Sequence, residues 1–585
     1  MSAIWGALSA DSALPVAGPV RAGAASLQWP GIRLCHWNRW PASELLATPE
    51  GLAITASLRL DNRDELIRRL GENPSVSDSH LVLRAYQRFG TDCVGHLLGD
   101  FAFALWDGPR RRLFCARDFI GVRPFYYVCR DDQFTFASDI VTALMESGAE
   151  PRLDLAQVRS KLQNPSFFFN LEHTFYQHVR RLPPGHFLLS DGRQVALHRY
   201  WTPPPVVPDA PRRDHEVIEQ LRELLDRAVS CRLSSAVGVH LSGGLDSSLL
   251  AALARHRLPH PPPAFCWSHP DEAPTGPFDE RELARTVARE HDLTITYTEL
   301  RPEDMLGQYT TDITTQPHNS LAYESVVSRE ASARGLRTMI SGWGGDEFVT
   351  FDGQGYHAEL LARGQWRHLV RELTMECRRY GGRPVDRFRS QALSPWVSRF
   401  SPWRSVDLPL PAYLQPDFRA ALLATPPLPQ SRWGTRPGTR ATQLHMLSYG
   451  HLTMRLEDWA NHGVDLGLDY VFPLLDRRLV EFALGVPGSL FLRNGWRRYL
   501  IREATAGLLP EVVRWNLRKD DPGVRPSARD LTEAVPLMRQ ALLERGNRRL
   551  VSPEMLVREV ERLPSRQQKA DRGYWLPWVN PAAVF

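Results

Sequence analysis

The sequence predicts a two-part α/β protein. Stacked sheets with flanking helices run to about residue 200, and a strand–loop–helix unit that becomes mostly helical follows. Three observations predict this. Before residue 200, short β-like runs at Leu52–Leu60, Gly99–Trp106, Arg112–Ala116, Phe134–Ser138 and His186–Ser190 accompany an amphipathic helix around Ser79–Gly90. Residues 201–213, WTPPPVVPDAPRR, hold five prolines in thirteen positions, which suits a linker and neither a helix nor a central strand. After it, the apolar run Val237–Leu241 meets a glycine loop and then LLAALARHR, the order of strand, turn and helix. The expected units are therefore 1–200, the linker 201–213, and 214–585.

Composition narrows the classes. The 585 residues are 43% hydrophobic and 23% charged, as in ordinary globular proteins. No apolar run approaches the ~20 residues of a membrane span, and MSAIWGALSADSALP lacks the basic start of a secretory signal. Seven cysteines, an odd count with no CxxC pair, make a metal cage or disulfide framework improbable and a reducing cytoplasm the expected compartment. A net charge of +5 gives no electrostatic case for nucleic acid. Of the 71 basic residues only Lys161, Lys519 and Lys569 are lysines, so each lysine is informative and each of the 68 arginines is less so.

Chemistry concentrates in two glycine turns. Ser242-Gly243-Gly244-Leu245-Asp246-Ser247-Ser248 lies between a β-like run and a helix start, where backbone amides and the helix dipole favour an anion. Its spacing is not that of the GxxxxGK[ST] loop. Asp246 would repel a phosphate unless a cation stood between them, which argues for Mg²⁺. A serine-capped helix start explains the same residues without a ligand. A second β-like run, Thr338–Ile340, leads into Ser341-Gly342-Trp343-Gly344-Gly345-Asp346-Glu347. In an open parallel sheet both turns would sit at the carboxyl ends of strands, with Asp246 and Asp346 facing one crevice.

SGGLDSS resembles the pyrophosphate loop of ATP pyrophosphatases, and with SGWGGDE it is similar to the glutamine-dependent asparagine synthetases. The resemblance extends through GDFAFALWD, ARDFIGVRPFYY, FASDI and FYQHVRRLPPGH in the first half, and through VFPLLDRRLVEFALGVP and RRYLIREATAGLLPEVVRWNLRKDDP in the second. It implies an N-terminal-nucleophile (Ntn) αββα sandwich followed by an adenylating synthetase domain. It also implies ATP contacts from Leu241, Ser242, Gly243, Gly244, Asp246, Ser247, Gly342 and Trp343, Mg²⁺ on Asp246 and Asp346, and Lys519 as catalytic cation.

The departures are as informative. Family members open with Met-Cys-Gly-Ile, whose cysteine hydrolyses glutamine; here Ser2 takes that place. A hydroxyl is far less acidic than a thiol of pKa about 8.5. Thr55-Ala56-Ser57-Leu58-Arg59-Leu60 supplies none of the family's oxyanion groups, and one such donor is worth ~10²–10³ in rate. Asp78 resembles the contact to the glutamine ammonium and equally fits a helix N-cap. The expectation is an idle glutaminase kept as scaffold.

Without internal ammonia, the amine is expected to come from a second group, on the same molecule or another. Two branches resembling this chain work so: β-lactam-type synthetases and the macrolactam synthetases of lasso peptide biosynthesis. SGWGGDE followed by FDGQGYHAELLARGQW is most like the latter, and the 105-residue span Glu347–His451 is long for a small substrate. Trp343 replaces the residue assigned to amine deprotonation, and an indole N–H cannot act as a base. An α-amine of pKa about 7.7–8.0 needs little help, so Trp343 is expected to pack. The resemblance thus implies ring closure between a peptide N-terminus and an Asp or Glu side chain, with a precursor peptide, a leader peptidase and a leader-binding recognition protein as partners. A small-molecule amide synthetase and a non-catalytic nucleotide-binding scaffold are the alternatives.

Overall fold

The structure, a computed structural model, describes residues 2–10, 21, 23–38, 45–163, 171–205, 213–267, 281–298, 301–304, 322–400, 409–428, 435–517, 528–545 and 548–565. Two six-stranded antiparallel sheets make up the first half. In spatial order, one runs Arg180–Arg181, Tyr126–Arg130, Gln133–Ala137, Ser2–Ser9, Ile32–Asn38, Ala25–Trp29. The other runs Val195–Arg199, His186–Ser190, Arg112–Arg117, Gly99–Asp107, Leu52–Leu60, Leu45–Ala47. Ile4, Leu34, Ala53, Ala104, Cys115 and Phe136 are among the side chains packed between the sheets. Asp78–Phe89 covers one outer face through Leu81, Val82 and Ala85, and Ile140–Ser147 covers the other through Ile140 and Ala143. The layers are αββα.

The expected runs appear within a residue or two of their predicted bounds. Strand Ser2–Ser9 was not among them. It is buried at every position, so its sequence lacks the alternation that marks a half-exposed strand.

The second half is built on five parallel strands: β1 (Val237–His240), β2 (Ala264–Trp267), β3 (Ile295–Thr298), β4 (Thr338–Ile340) and β5 (Asp469–Val471), in the order β3-β2-β1-β4-β5. Four helices matter for the site: α1 (Leu245–Arg257) after β1, α2 (Trp366–Tyr380) in the Arg- and Trp-rich region, α3 (His451–Leu466) before β5, and α4 (Tyr499–Ala504). Among the described residues no helix is long and apolar enough to cross a membrane.

Ion pairs weld the halves together. Glu457 of α3, fully buried, accepts hydrogen bonds from Arg117 (2.8 Å), Arg181 (2.8 and 3.0 Å) and the Tyr126 hydroxyl (2.8 Å), all from the first half. Arg123 forks onto Asp469 at 2.7 and 2.6 Å. Burial alone would raise the Asp469 carboxyl, yet the opposing charges, Arg123 foremost, hold it below its ordinary value. Asp61 of the first half and Asp476 of the second share Arg232 at 2.6 and 2.7 Å. Trp201 joins in, since its Nε1 donates to Glu481 at 2.8 Å. Lys161 is half-buried: desolvation lowers its ammonium to about 8 against the opposing pull of Asp458 on α3. Its survival among arginines therefore has a structural setting.

Removing one member of a buried ionic cluster strands the others, at about 3–5 kcal/mol. Glu457→Ala should therefore lower the first thermal unfolding transition by several degrees. A shift of under a degree would show that the joint does not depend on this carboxylate.

Candidate active site

Strands β1 and β4 are neighbours, paired Val237 with Thr338 and Val239 with Ile340, so their carboxyl ends lie side by side. The chain leaves β1 through Leu241, whose N–H donates to Phe265 O at 2.8 Å. Serine hydroxyls then close the first turn. Ser242 N donates to Ser247 Oγ (3.0 Å), the two Oγ atoms lie 2.9 Å apart, and Gly244 N donates to Ser242 Oγ (3.3 Å). Gly243 has φ +84°, the left-handed region that glycine enters without strain. Gly244 caps α1 and has no side chain to occupy the helix N-terminus, and Asp246 lies in the first turn.

The second turn comes within contact of the first. A Cβ on Gly342 would stand 2.8 Å from Ser247 N and 3.0 Å from the Asp246 carbonyl carbon, both backbone atoms, so only glycine permits this approach. A Cβ on Gly345 would meet Leu474 Cδ1 at 2.6 Å and Asp246 Cγ at 3.4 Å. The loops are thereby pressed together until Asp246 and Asp346 reach one cation.

That cation is Arg498, just before α4. Its guanidinium pairs with Asp246 Oδ2 at 3.5 Å and hydrogen-bonds Asp346 Oδ1. Thr350 Oγ1 donates to the same Asp346 oxygen at 3.4 Å. Burial disfavours the arginine's charge, but Asp346, Asp246, Asp352 and Glu347 together hold its pKa above the ordinary value. Asp246 and Asp346 share this one guanidinium, so the pair keeps negative charge to offer a cation. Two aspartates offering hard oxygens are what Mg²⁺ uses when phosphates complete its coordination, so the donor set fits that ion. The one cluster of three potential metal ligands among the described residues, Asp61, Cys231 and Asp476, lies elsewhere, and arginines already neutralise its carboxylates.

Trp343 turns into the core. Its ring meets Trp459 of α3 edge-on at 5.2 Å and Phe472 at 6.2 Å, while its backbone N–H donates to Ser341 Oγ at 3.2 Å. The next acid, Glu347, is held by His451 Nε2 at 3.1 Å. Lys519 lies outside the described residues. The structure thus brings Ser242, Gly243, Gly244, Asp246, Ser247, Gly342 and Asp346 to one crevice, with Leu241 and Trp343 beneath it. It adds Arg498, which the sequence reading passed over. Nothing distinguishes one arginine among 68, and its left-handed backbone, φ +58°, has no signature in the residue type.

An αββα sandwich joined to a parallel-sheet nucleotide domain with paired aspartates defines a class, the amidotransferase-type, ATP-dependent amide-forming enzymes. Residues 220–580 match the family model for asparagine synthase, and 60–201 that for a glutamine amidotransferase domain. The chain belongs to the asparagine synthase family. It is 25% identical to the glutamine-hydrolysing asparagine synthetase 3 of Bacillus subtilis, over 81% of this chain and 75% of that one. It is 28% identical to the amidase chry2 of Gibberella zeae over 46% of this chain and 42% of that one. With the putative asparagine synthetase 2 of Methanocaldococcus jannaschii, identity is 30% over 32% and 36%. The match thus spans three quarters of the first relative and less than half of the other two.

Asp246→Asn and Asp346→Asn should each weaken Mg²⁺-dependent ATP binding by about tenfold or more, the worth of roughly 1.4 kcal/mol of charge contact, in a protein that still unfolds cooperatively. Titration calorimetry at fixed Mg²⁺ checks this. Unchanged affinity in either variant removes that residue from the metal site.

Proposed function

We propose that this protein is an ATP- and Mg²⁺-dependent macrolactam synthetase of the lasso-peptide type. It would adenylate an Asp or Glu side chain of a leader-trimmed precursor peptide and join it to the peptide's own N-terminal amine. The supporting observation is an asymmetry between the halves. The two glycine turns and their aspartates are assembled at one crevice, whereas Asp78, Ser2 and Thr55 make hydrogen bonds within the first half. Asp78 Oδ2 accepts the Leu60 N–H at 2.9 Å and its other oxygen accepts from Arg63, so about half of its acceptor positions are filled from within the domain. Ser2, buried at the start of its strand, has its hydroxyl hydrogen-bonded by Asn38 Nδ2 at 3.2 Å. Thr55, on the strand that lacks the oxyanion groups, donates its hydroxyl to Cys35 O at 2.8 Å.

In this reading the amides of the Ser242–Ser247 turn and the N-terminus of α1 cradle phosphate oxygens, and Asp246 and Asp346 would hold Mg²⁺, which neutralises charge on the departing pyrophosphate. The substrate carboxylate attacks the α-phosphorus of ATP and pyrophosphate leaves. The N-terminal amine then attacks the acyl carbon, AMP leaves with the bonding electron pair, and the amine's proton passes to solvent or a nearby carboxylate. Arg498 and Lys519 supply positive charge. Trp343 takes no proton and forms the crevice floor.

The test is incubation with ATP, Mg²⁺ and linear peptides bearing a free N-terminus and one internal Asp or Glu. The expected product is one water lighter by mass spectrometry, with one AMP per ring and no requirement for glutamine. Ser2→Ala should leave the rate unchanged. Turnover of free amino acids in place of peptides would favour the small-molecule reading, and glutamate release matching turnover would restore the glutaminase. Lys519→Arg should lose nearly as much rate as Lys519→Ala, about 3–4 kcal/mol in the barrier by analogy with oxyanion donors, because a planar fork cannot replace a compact ammonium. Near-parental cyclisation by Lys519→Arg would contradict the compact-cation role.

A further inference from the structure

Helix α2 lies in the span Glu347–His451, which is long for a small substrate. Its inner face does something more specific. Glu372 and Glu376, both 1% exposed, point from it at the short hairpin formed by Leu492–Arg493 and Trp496–Arg497. Glu372 accepts the backbone N–H groups of Asn494 (3.1 Å) and Gly495 (2.8 Å), the two turn residues. Glu376 accepts from Arg497 at 2.7 Å and from Arg387 at 2.7 Å. Arg379, also on α2, donates to Asn494 O at 3.0 Å, and its guanidinium stacks 3.9 Å from the centre of the Trp496 ring. The fit is tight. Gly495 has φ +72°, and a Cβ there would stand 2.4 Å from Glu376 N.

Two buried carboxylates are a costly way to hold a hairpin turn, since each must recover its desolvation penalty through hydrogen bonds. Apolar packing would serve stability as well. What the carboxylates add is direction, because N–H···O⁻ bonds fix the turn at defined points. The residue immediately after the hairpin is Arg498. It adopts the left-handed conformation, which a non-glycine residue enters at a steric cost, and reaches between Asp246 and Asp346. A backbone held in such a state persists when its surroundings over-determine it.

We propose that Glu372 and Glu376 are positioning residues for Arg498. The helical insertion, rather than the nucleotide sheet, sets where the crevice's own cation stands and how firmly it competes for the two aspartates. The inference rests on reading Asp246 and Asp346 as a cation site, and does not depend on which substrate is joined.

Mn²⁺, titrated into nucleotide-free protein and followed by electron paramagnetic resonance, probes the competition directly. Glu372→Ala and Glu376→Gln should each loosen Arg498 and so tighten Mn²⁺ binding several-fold, as should Arg498→Ala. In the Arg498→Ala background, neither change should tighten it further. Glu372→Gln, which keeps one acceptor but sets its NH2 against the other turn N–H, should tighten Mn²⁺ binding by less than Glu372→Ala. A structural effect alone would lower thermal stability equally in both backgrounds and leave Mn²⁺ affinity unmoved. Parental Mn²⁺ affinity in folded Glu376→Gln, or equal tightening with and without Arg498, overturns the proposal. Should Glu372→Ala not fold, Glu376→Gln and Glu372→Gln carry the test. A protein that shows the Mn²⁺ pattern yet processes no peptide keeps this inference and loses the macrolactam reading.

Discussion

Two carboxylates held within reach of one cation are the constraint around which the second half is organised. Asp246 and Asp346 repel each other in a partly buried crevice, where the interaction is stronger than in water. They are tolerated because Arg498 stands between them, and a divalent ion on phosphate would satisfy them in the same way. The adjacency of β1 and β4, the Ser242–Ser247 tie and the missing side chains at Gly342 and Gly345 all serve to bring the turns that close. A methyl group on Gly342 would separate them by pushing on backbone that cannot yield.

Helix α3 extends that constraint to the rest of the molecule. His451, at its start, holds Glu347, and Trp459 backs Trp343. Glu457 anchors the first half through two arginines and a tyrosine, and Met454 joins a core shared by Val158 and Leu162 of the first half and by the C-terminal helices. One helix thus serves the crevice, the sandwich and the C-terminal core. This supplies a structural reason to keep the sandwich whatever its own chemistry: without it α3 would expose Glu457 and lose the platform that sets the crevice floor.

Much of this was legible in the sequence, for identifiable reasons. Leu52–Leu60 and His186–Ser190 stand out because they are short β-rich runs bounded by turn residues. The two glycine turns are legible because phosphate chemistry restricts residue type at fixed spacing. What escaped depends on tertiary context. Ser2–Ser9 is a strand buried on both faces and carries no alternation. Arg498 is one arginine among many, and its importance comes from a hairpin clamped by a helix more than a hundred residues earlier in the chain. Asp78 reads from sequence as either a ligand contact or a cap. The structure caps the helix with Ser77, whose Oγ accepts the His80 N–H, while Asp78 pairs with Arg63 and the Leu60 N–H, a pairing that no local pattern predicts.

Adenylation of a substrate carboxylate is the central chemical claim, and oxygen transfer tests it most directly. A linear peptide whose acceptor Asp or Glu side chain carries oxygen-18 in both carboxylate positions would be turned over with ATP, and AMP and pyrophosphate analysed by mass spectrometry. The account predicts one labelled oxygen in each AMP and none in pyrophosphate, because the carboxylate oxygen that attacks the α-phosphorus leaves with AMP when the amide forms. Unlabelled AMP, or label in phosphate released from the γ-position, would contradict it.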